Sequence, residues 1–192
     1  MNRISALLLF TVILFFVSCT KTDEPLEPET EIYGDYIRSG LRKGDYFSCP
    51  EGSYKVISEK DSILVEFLGT SGGGGKIVIP YKFSYNGFKC TVDRIRENAF
   101  QQAVNLREVT IEDGIKSIGP FAFSISGITA VTIPSSIKHI DFGAFEECEN
   151  LAKVNLAKGE KIIEVRAFRR CNSLVEINIP EGTYVGGKIV FS

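Results

Sequence analysis

An Ala-Phe pair recurs four times in the second half of this chain, each time within a similar pattern of apolar and polar positions. The four copies are Ala99-Phe100, Ala122-Phe123, Ala144-Phe145 and Ala167-Phe168. Successive copies are separated by 23, 22 and 23 residues. A period of this size is typical of a repeat protein, in which each repeat is one structural unit that packs against its neighbours.

Other apolar residues recur at fixed distances from each pair. Five residues before the phenylalanines lie Ile95, Ile118, Ile140 and Ile163. After each phenylalanine, two apolar residues flank a single polar one, as in Val109/Ile111, Val131/Ile133, Val154/Leu156 and Ile177/Ile179. Alternation with a period of two predicts a short β-strand in every repeat.

The repeats can bury their apolar residues only by stacking. A coil of about 23 residues has no second layer to pack against, so it does not form a core alone. When coils stack, equivalent residues lie about 4.8 Å apart and each apolar position becomes a row. We therefore predict a structural spine of stacked rings from Phe100, Phe123, Phe145 and Phe168.

The segments IKHIDFGAFEECENLAKVNL and IIEVRAFRRCNSLVEINIP share the motif I-x-x-I-x-x-x-A-F-x-x-C-x-x-L-x-x-V-x-I-P. This motif resembles the BspA-like leucine-rich repeats, and it covers about residues 92–180 in four copies. The resemblance implies a mainly β leucine-rich-repeat solenoid with one short parallel strand per coil. It also implies a cell-surface or secreted module for adhesion to proteins or glycans, not an enzyme. Ala103 and Ser126 replace the motif cysteine in the first two copies, and the second copy is one residue short.

The segments on either side of the repeats are expected to close the ends of the solenoid. Residues 32–91 are rich in β-branched and aromatic residues, and Asn86-Gly87 between two such runs predicts a two-residue hairpin. The segment SGGGGK at 71–76 lacks the spacing and the following helix of a phosphate-binding loop, so it is interpreted as a hairpin connection. Residues 181–192 are predicted to form a C-terminal cap.

Residues 1–18 have the pattern of a lipoprotein signal peptide. A basic start precedes an apolar run from Ile4 to Val17, which is too short for a membrane span, and Ser18-Cys19 follows it. Ser18-Cys19 resembles the bacterial lipobox, which implies lipidation of Cys19 and anchoring at the outer membrane or cell surface. A plain signal peptide is the alternative. Residues 19–31 carry five acidic residues and two prolines, which predicts an extended tether.

Composition and chemistry argue against nucleic-acid binding, metal binding and catalysis. The chain of 192 residues has 22 basic and 24 acidic residues, so it has no excess positive charge for a phosphate backbone. The single histidine, His139, has no evident nucleophile beside it, and no zinc-ligand spacing occurs. The acidic residues Glu146, Glu147 and Glu149 are expected to be solvated turn residues. No cofactor is predicted.

The cysteines leave two states open. Cys148 and Cys171 occupy the same position in adjacent repeats, and they are predicted to be buried thiols, with a disulfide between them as the alternative. Cys49 and Cys90 lie in the predicted N-terminal cap, and the sequence does not decide whether they pair.

Rows of outward side chains are the candidate binding face. One row alternates with the inward strand residues: Thr110, Thr132, Asn155 and Asn178. A second row, Lys116, Lys138 and Lys161, suits a sulfated or sialylated glycan, with separately solvated lysines as the alternative. We expect a lipid-anchored, non-catalytic module that binds a protein or glycan of a host or neighbouring cell. The alternative is an accessory structural subunit of an envelope assembly.

Overall fold

The computed structural model describes residues 19–20, 40–50, 52–59, 62–70 and 75–186. Within these ranges all regular secondary structure is β-strand. The described residues contain no helix that is long and apolar enough to cross a membrane. The strands form a parallel solenoid of about five turns, which confirms the predicted fold class. The predicted signal peptide, most of the tether and the last six residues of the C-terminal cap lie outside the described residues.

Two sheets form the two walls of the solenoid. Sheet 1 contains β1 (Cys19–Thr20), β2 (Tyr46–Cys49), β3 (Gly52–Ser58), β4 (Ile63–Gly69), β6 (Lys82–Tyr85), β7 (Phe88–Ile95), β9 (Ser117–Ile118), β11 (His139–Ile140), β13 (Lys161–Ile163) and β15 (Thr183–Val185). Sheet 2 contains β5 (Lys76–Ile79), β8 (Glu108–Ile111), β10 (Ala130–Ile133), β12 (Lys153–Leu156) and β14 (Glu176–Asn178). Each coil contributes one strand to each sheet, whereas the sequence predicted one strand per coil. The second strand is only two or three residues long in the repeats, too short for alternation to reveal it.

The N-terminal segment continues the solenoid as well as capping it. Strands β2, β3 and β4 form an antiparallel meander, and β4 then pairs in parallel with β7. The predicted hairpin is confirmed, since Asn86 and Gly87 connect β6 to β7 with φ values of 48° and 79°. Strand β5 pairs in parallel with β8, so the KIVI segment is the first strand of sheet 2. The coil stack therefore begins before residue 92.

Of the predicted tether, the structure describes Cys19 and Thr20. Cys19 and Thr20 pair antiparallel with Tyr85 and Ser84 of β6, along the edge of the N-terminal part of the fold. The backbone of Cys19 therefore lies against the domain instead of standing away from it. The unpaired edge of β6 accounts for this, because an open strand edge is a template for any adjacent extended segment.

The four repeat phenylalanines form one stack of rings. Their centroids are 5.0, 5.1 and 5.2 Å apart from Phe100 through Phe123 and Phe145 to Phe168, with interplanar angles of 12°, 2° and 6°. All four side chains are buried. Phe67 of β4 extends the stack, 5.6 Å from Phe100, although it lies outside the motif. The rings thus join the N-terminal strands and the repeats in one core.

Each Ala-Phe pair lies in a six-residue turn with the same backbone shape, here called a Phe turn. The Phe turns span residues 97–102, 120–125, 142–147 and 165–170. The second and sixth residues of every Phe turn have left-handed φ values between 53° and 62°. Backbone N–H groups in each of the first three turns donate to carbonyls in the next, for example Phe145 N to Ala167 O at 2.8 Å. The coils are therefore tied together at the turns as well as at the strands.

The cysteine row consists of free thiols. Cys148 Sγ donates to the Phe123 carbonyl at 3.0 Å, and Cys171 Sγ donates to the Phe145 carbonyl at 3.1 Å. The hydrogen bond with Cys148 and burial raise the pKa of Cys171. Ser126 continues the row, with its Oγ 3.4 Å from Cys148 Sγ. The two thiols each satisfy a backbone carbonyl of the preceding Phe turn.

Candidate binding surface

The outer face of sheet 2 presents a regular polar row. Residues Thr110, Thr132 and Asn155 are in register on β8, β10 and β12, and all three are exposed. Their inward neighbours Val131 and Val154 are buried, so the strands hold the polar side chains outward. Three of the four residues predicted for this row therefore lie side by side on an accessible surface.

Two ion pairs lie in the row beside it, two residues earlier on the same strands. Lys76 Nζ lies 2.8 Å from Glu108 Oε1, and Lys153 Nζ lies 2.8 Å from Glu176 Oε1. All four side chains are more than half exposed, so each pair contributes at most about 1 kcal/mol to folding. Ala130 lies between the two pairs in register, which leaves the centre of the face uncharged.

Asn178, the fourth residue of the predicted row, is exposed but has a structural role. Its Oδ1 accepts from Leu156 N at 2.8 Å, and its Nδ2 donates to Leu156 O at 3.1 Å. In the preceding pair of strands, Ile133 of β10 is paired with Leu156 of β12. Strand β14 ends at Asn178, so Leu156 has no equivalent partner on β14. The Asn178 amide thus replaces a backbone pairing and is not free for a ligand.

The prediction of an exposed row of three lysines is wrong for Lys161. Lys116 and Lys138 are exposed, but Lys161 is 2% exposed, and its Nζ donates to the carbonyls of Pro134 and Ile137 at 3.1 and 3.0 Å. Burial lowers the pKa of Lys161, and the charge of Lys138 lowers it further. In this coil Lys161 points inward, and its alkyl chain fills the core while the ammonium group satisfies the loop carbonyls. Two adjacent lysines are therefore what remains of the predicted anion-binding row.

A groove on the outer face of sheet 1 was not predicted. Its floor is formed by Ser117 and Gly119, and its walls are formed by Arg94 and Arg96 on one side and Asp141 on the other. The groove encloses about 280 Å³. It exists because Ser117 of β9 and Gly119, which directly follows β9, are small residues between neighbours with long side chains. Gly119 cannot be replaced without a shift of the backbone, since an added Cβ would lie 2.7 Å from Glu97 N.

The charges in this groove are loosely paired. Arg94 Nε is 3.6 Å from Asp93 Oδ2. Arg96 Nε is 4.0 Å from Glu66 Oε2, and Arg96 Nη2 is 4.0 Å from Glu97 Oε1. All three distances are longer than a hydrogen bond. Burial raises the pKa of Asp141, and Glu164 raises it further, while His139 and Arg94 act in the opposite direction.

The outward positions of the groove residues follow the repeat and could have been predicted from it. The segments RIR, SIG, HID and IIE at 94–96, 117–119, 139–141 and 162–164 each centre on the inward isoleucine. Residues on either side of that isoleucine point outward on the same face. The signal was therefore present in the residues that flank the second apolar position of each repeat.

The turn acids are more ordered than expected. Glu146 is 8% exposed, and its Oε1 accepts from Arg169 Nη1 at 2.7 Å. Glu147 accepts from Arg170 at the same distance in the same direction along the stack. The expectation of a solvated face is therefore wrong for Glu146.

Across the described ranges, no group of three or more His, Cys, Asp or Glu side chains is arranged to hold a metal ion.

Comparison with known families shows which protein family the chain belongs to. A family model for the BspA type leucine rich repeat region matches residues 82–192 in six copies. The chain belongs to this family. The BspA-type match begins at the hairpin, in line with a coil stack that starts before residue 92. Leucine-rich repeats of this kind occur in bacterial surface proteins and are typically non-enzymatic modules that bind proteins.

Solved structures show the same fold at low sequence identity. The chain is similar to the T. pallidum leucine-rich-repeat protein TpLRR, with 22% identity and a TM-score of 0.60 over 74% of this chain and 64% of that one. It is also similar to the pneumococcal vaccine antigen PcpA, with 17% identity and a TM-score of 0.54 over 74% of this chain and 46% of that one. The chain therefore spans less than two thirds of either protein. No curated protein matches the chain.

Proposed function

We propose that this BspA-type protein is a non-catalytic adhesion module that binds a protein or glycan of a host or neighbouring cell at the bacterial surface. The in-register row of Thr110, Thr132 and Asn155 on sheet 2 carries the proposal. Its side chains are spaced by about 4.8 Å on a rigid sheet, so a ligand meets donors and acceptors that are already positioned. Preorganisation of this kind reduces the entropy lost on binding.

The proposed location is the outer membrane or cell surface, with a lipid on Cys19. The apolar run ending in Ser18-Cys19 supports it. In cells fed radiolabelled palmitate, the wild-type chain and a Cys49→Ser control should incorporate label, and Cys19→Ser should not. Equal labelling of the Cys19 variant would remove the lipid anchor from the proposal.

Adhesion is tested with cells that display the full chain. Displaying cells should adhere to some members of an immobilised panel of matrix proteins and glycans, and cells with an empty vector should not. Asn155→Lys places a long cation in the centre of the polar row and should reduce adhesion at least about tenfold, which corresponds to roughly 1.4 kcal/mol. Asn105→Lys is the matched control, because Asn105 is an exposed residue outside sheet 2. A displayed chain that adheres to nothing would contradict the adhesion role.

A second candidate is an accessory subunit of an envelope assembly. It is favoured by apolar side chains exposed in the last described coil, with Val175 89%, Tyr184 65% and Ile179 42% exposed. Large exposed apolar side chains near strand edges are typical of contacts between proteins. Crosslinking in intact cells followed by purification should recover a defined partner with the wild type and lose it with Val175→Lys. Recovery of the chain alone would remove this candidate.

A further inference from the structure

The charged side chains of the groove on sheet 1 have only loose protein partners. The carboxylates nearest to Arg94 and Arg96 are 3.6 to 4.0 Å away, and neither arginine nor Asp141 makes a side-chain hydrogen bond to any described residue. Charged groups that converge on a concave site without short hydrogen bonds to one another are typical of a small-ligand site. The groove thus differs from the outer face of sheet 2, where the ion pairs are 2.8 Å long.

The positions of the charges follow from strand register. Arg94 is in register with Ser117, and Ser117 is in register with His139. Because adjacent strands are about 4.8 Å apart, the arginine wall and the Asp141 wall are about 10 Å apart across a floor of small residues. Arg94 of β7 and Arg96, which directly follows β7, lie on either side of the inward Ile95, so both side chains lie on the groove side of the sheet.

The charge balance selects among ligands. Two guanidinium groups suit a carboxylate, because each can donate two parallel hydrogen bonds to its oxygens. Three carboxylates, those of Glu66, Glu97 and Asp141, also line the groove. They disfavour a simple anion such as phosphate or sulfate, and they favour a ligand that also carries donors. A volume of about 280 Å³ is at the small end of ligand sites and suits one ring-sized unit.

We propose that this groove binds a carboxylate-bearing sugar. The sugar carboxylate pairs with Arg94 and Arg96, its hydroxyl groups donate to Asp141, and Pro120 at the rim covers part of its apolar face. An acidic peptide is disfavoured, since its carboxylates bring no cluster of donors for the acidic wall. The proposal rests on the adhesion function proposed above and names the ligand class for one site of that module.

The test titrates the purified full chain in detergent micelles with N-acetylneuraminic acid and with glucuronic acid, which separate a sialic from a uronic source. Galactose is the neutral control, and N-acetyl-aspartate amide is the peptide-carboxylate control. We expect one acidic sugar to bind at least about tenfold more tightly than galactose and than the aspartate derivative.

Three variants locate that binding. Arg94→Gln and Arg96→Gln should each weaken binding of the acidic sugar about tenfold or more, and Ser117→Leu should abolish it by filling the floor. Lys89→Gln removes the same charge from the other end of β7 and should leave the affinity unchanged. Thermal unfolding midpoints close to that of the wild type show that the variants are folded, and if one arginine variant is not folded, the other still tests the groove.

The outcomes separate this proposal from the adhesion function. If no acidic sugar binds while displaying cells still adhere to the panel, the groove proposal is overturned and the adhesion proposal stands. If neither binding nor adhesion is seen, both fail. Equal binding of N-acetyl-aspartate amide, or sugar binding unaffected by both arginine variants, also overturns the groove proposal.

Discussion

Truncation of Phe145 in the middle of the ring stack tests the physical basis of the fold. Its ring is fully buried between Phe123 at 5.1 Å and Phe168 at 5.2 Å, nearly parallel to both. Phe145→Ala removes both ring contacts and leaves a cavity. The cavity cannot close easily, because backbone hydrogen bonds fix the Phe turns on either side, including Phe123 N to Ala144 O at 2.8 Å. We therefore expect a loss of about 3–5 kcal/mol in the free energy of unfolding.

The measurement is urea unfolding followed by circular dichroism, with free energies from linear extrapolation. A loss of that size is a large part of the stability of a typical domain, about 5–15 kcal/mol, so the midpoint should fall clearly. Phe142→Ala is the matched control in the same turn, since Phe142 is 37% exposed, and it should cost at most about 1.5 kcal/mol. A loss below about 1 kcal/mol for Phe145→Ala, with an unchanged m value, would refute the account of the core.

Three further predictions concern single side chains. Ile125 is a β-branched residue with φ of 58°, so Ile125→Asn should raise the free energy of unfolding by up to about 1 kcal/mol in urea unfolding, and Ile125→Val should give no gain. Burial and the nearby Cys49 thiol raise the pKa of Cys90 from 9.0 to about 12, so the folded chain holds this proton more tightly than the unfolded chain. The protonated Cys90 thiol therefore stabilises the fold fully below pH 9, and this contribution should decline by up to about 1.4 kcal/mol per pH unit as the pH rises towards 12. The unfolding midpoint of Cys90→Ala should fall less steeply over the same pH range than that of the wild type. Asn178→Ala should cost about 1–2 kcal/mol by removing two hydrogen bonds to Leu156, whereas Asn155→Ala in the same row should cost less than about 0.5 kcal/mol; equal losses in thermal unfolding would contradict the strand-ending role.

The predictable part of the fold was carried by repetition. A phenylalanine at every 22 or 23 residues predicts stacked rings, because only coil-on-coil packing brings such residues together. Asn86-Gly87 predicted its own hairpin, since both residues accept the left-handed φ values that the turn requires. Phe67 was missed as the first ring because no Ala-Phe motif surrounds it, and it joins the stack only through the parallel pairing of β4 with β7.

The candidate sites were less predictable, because they depend on where each side chain points within its own coil. The row Thr110, Thr132 and Asn155 followed from simple alternation, and the structure places these residues side by side. Asn178 has the same place in the motif, but the end of β14 directs its amide to backbone groups.

The sequence by itself determined the coil length, the apolar rows and the family of this protein, because these properties repeat and each copy supports the others. Only the tertiary structure decided that Lys161 turns inward and that Ser117 and Gly119 form a floor between Arg94 and Asp141. The physical reason is that a repeat specifies which residues are neighbours across coils, whereas burial and open space depend on the sizes of those particular neighbours. The groove therefore arises from residues that differ between coils, whereas the polar row on sheet 2 arises from a position that repeats.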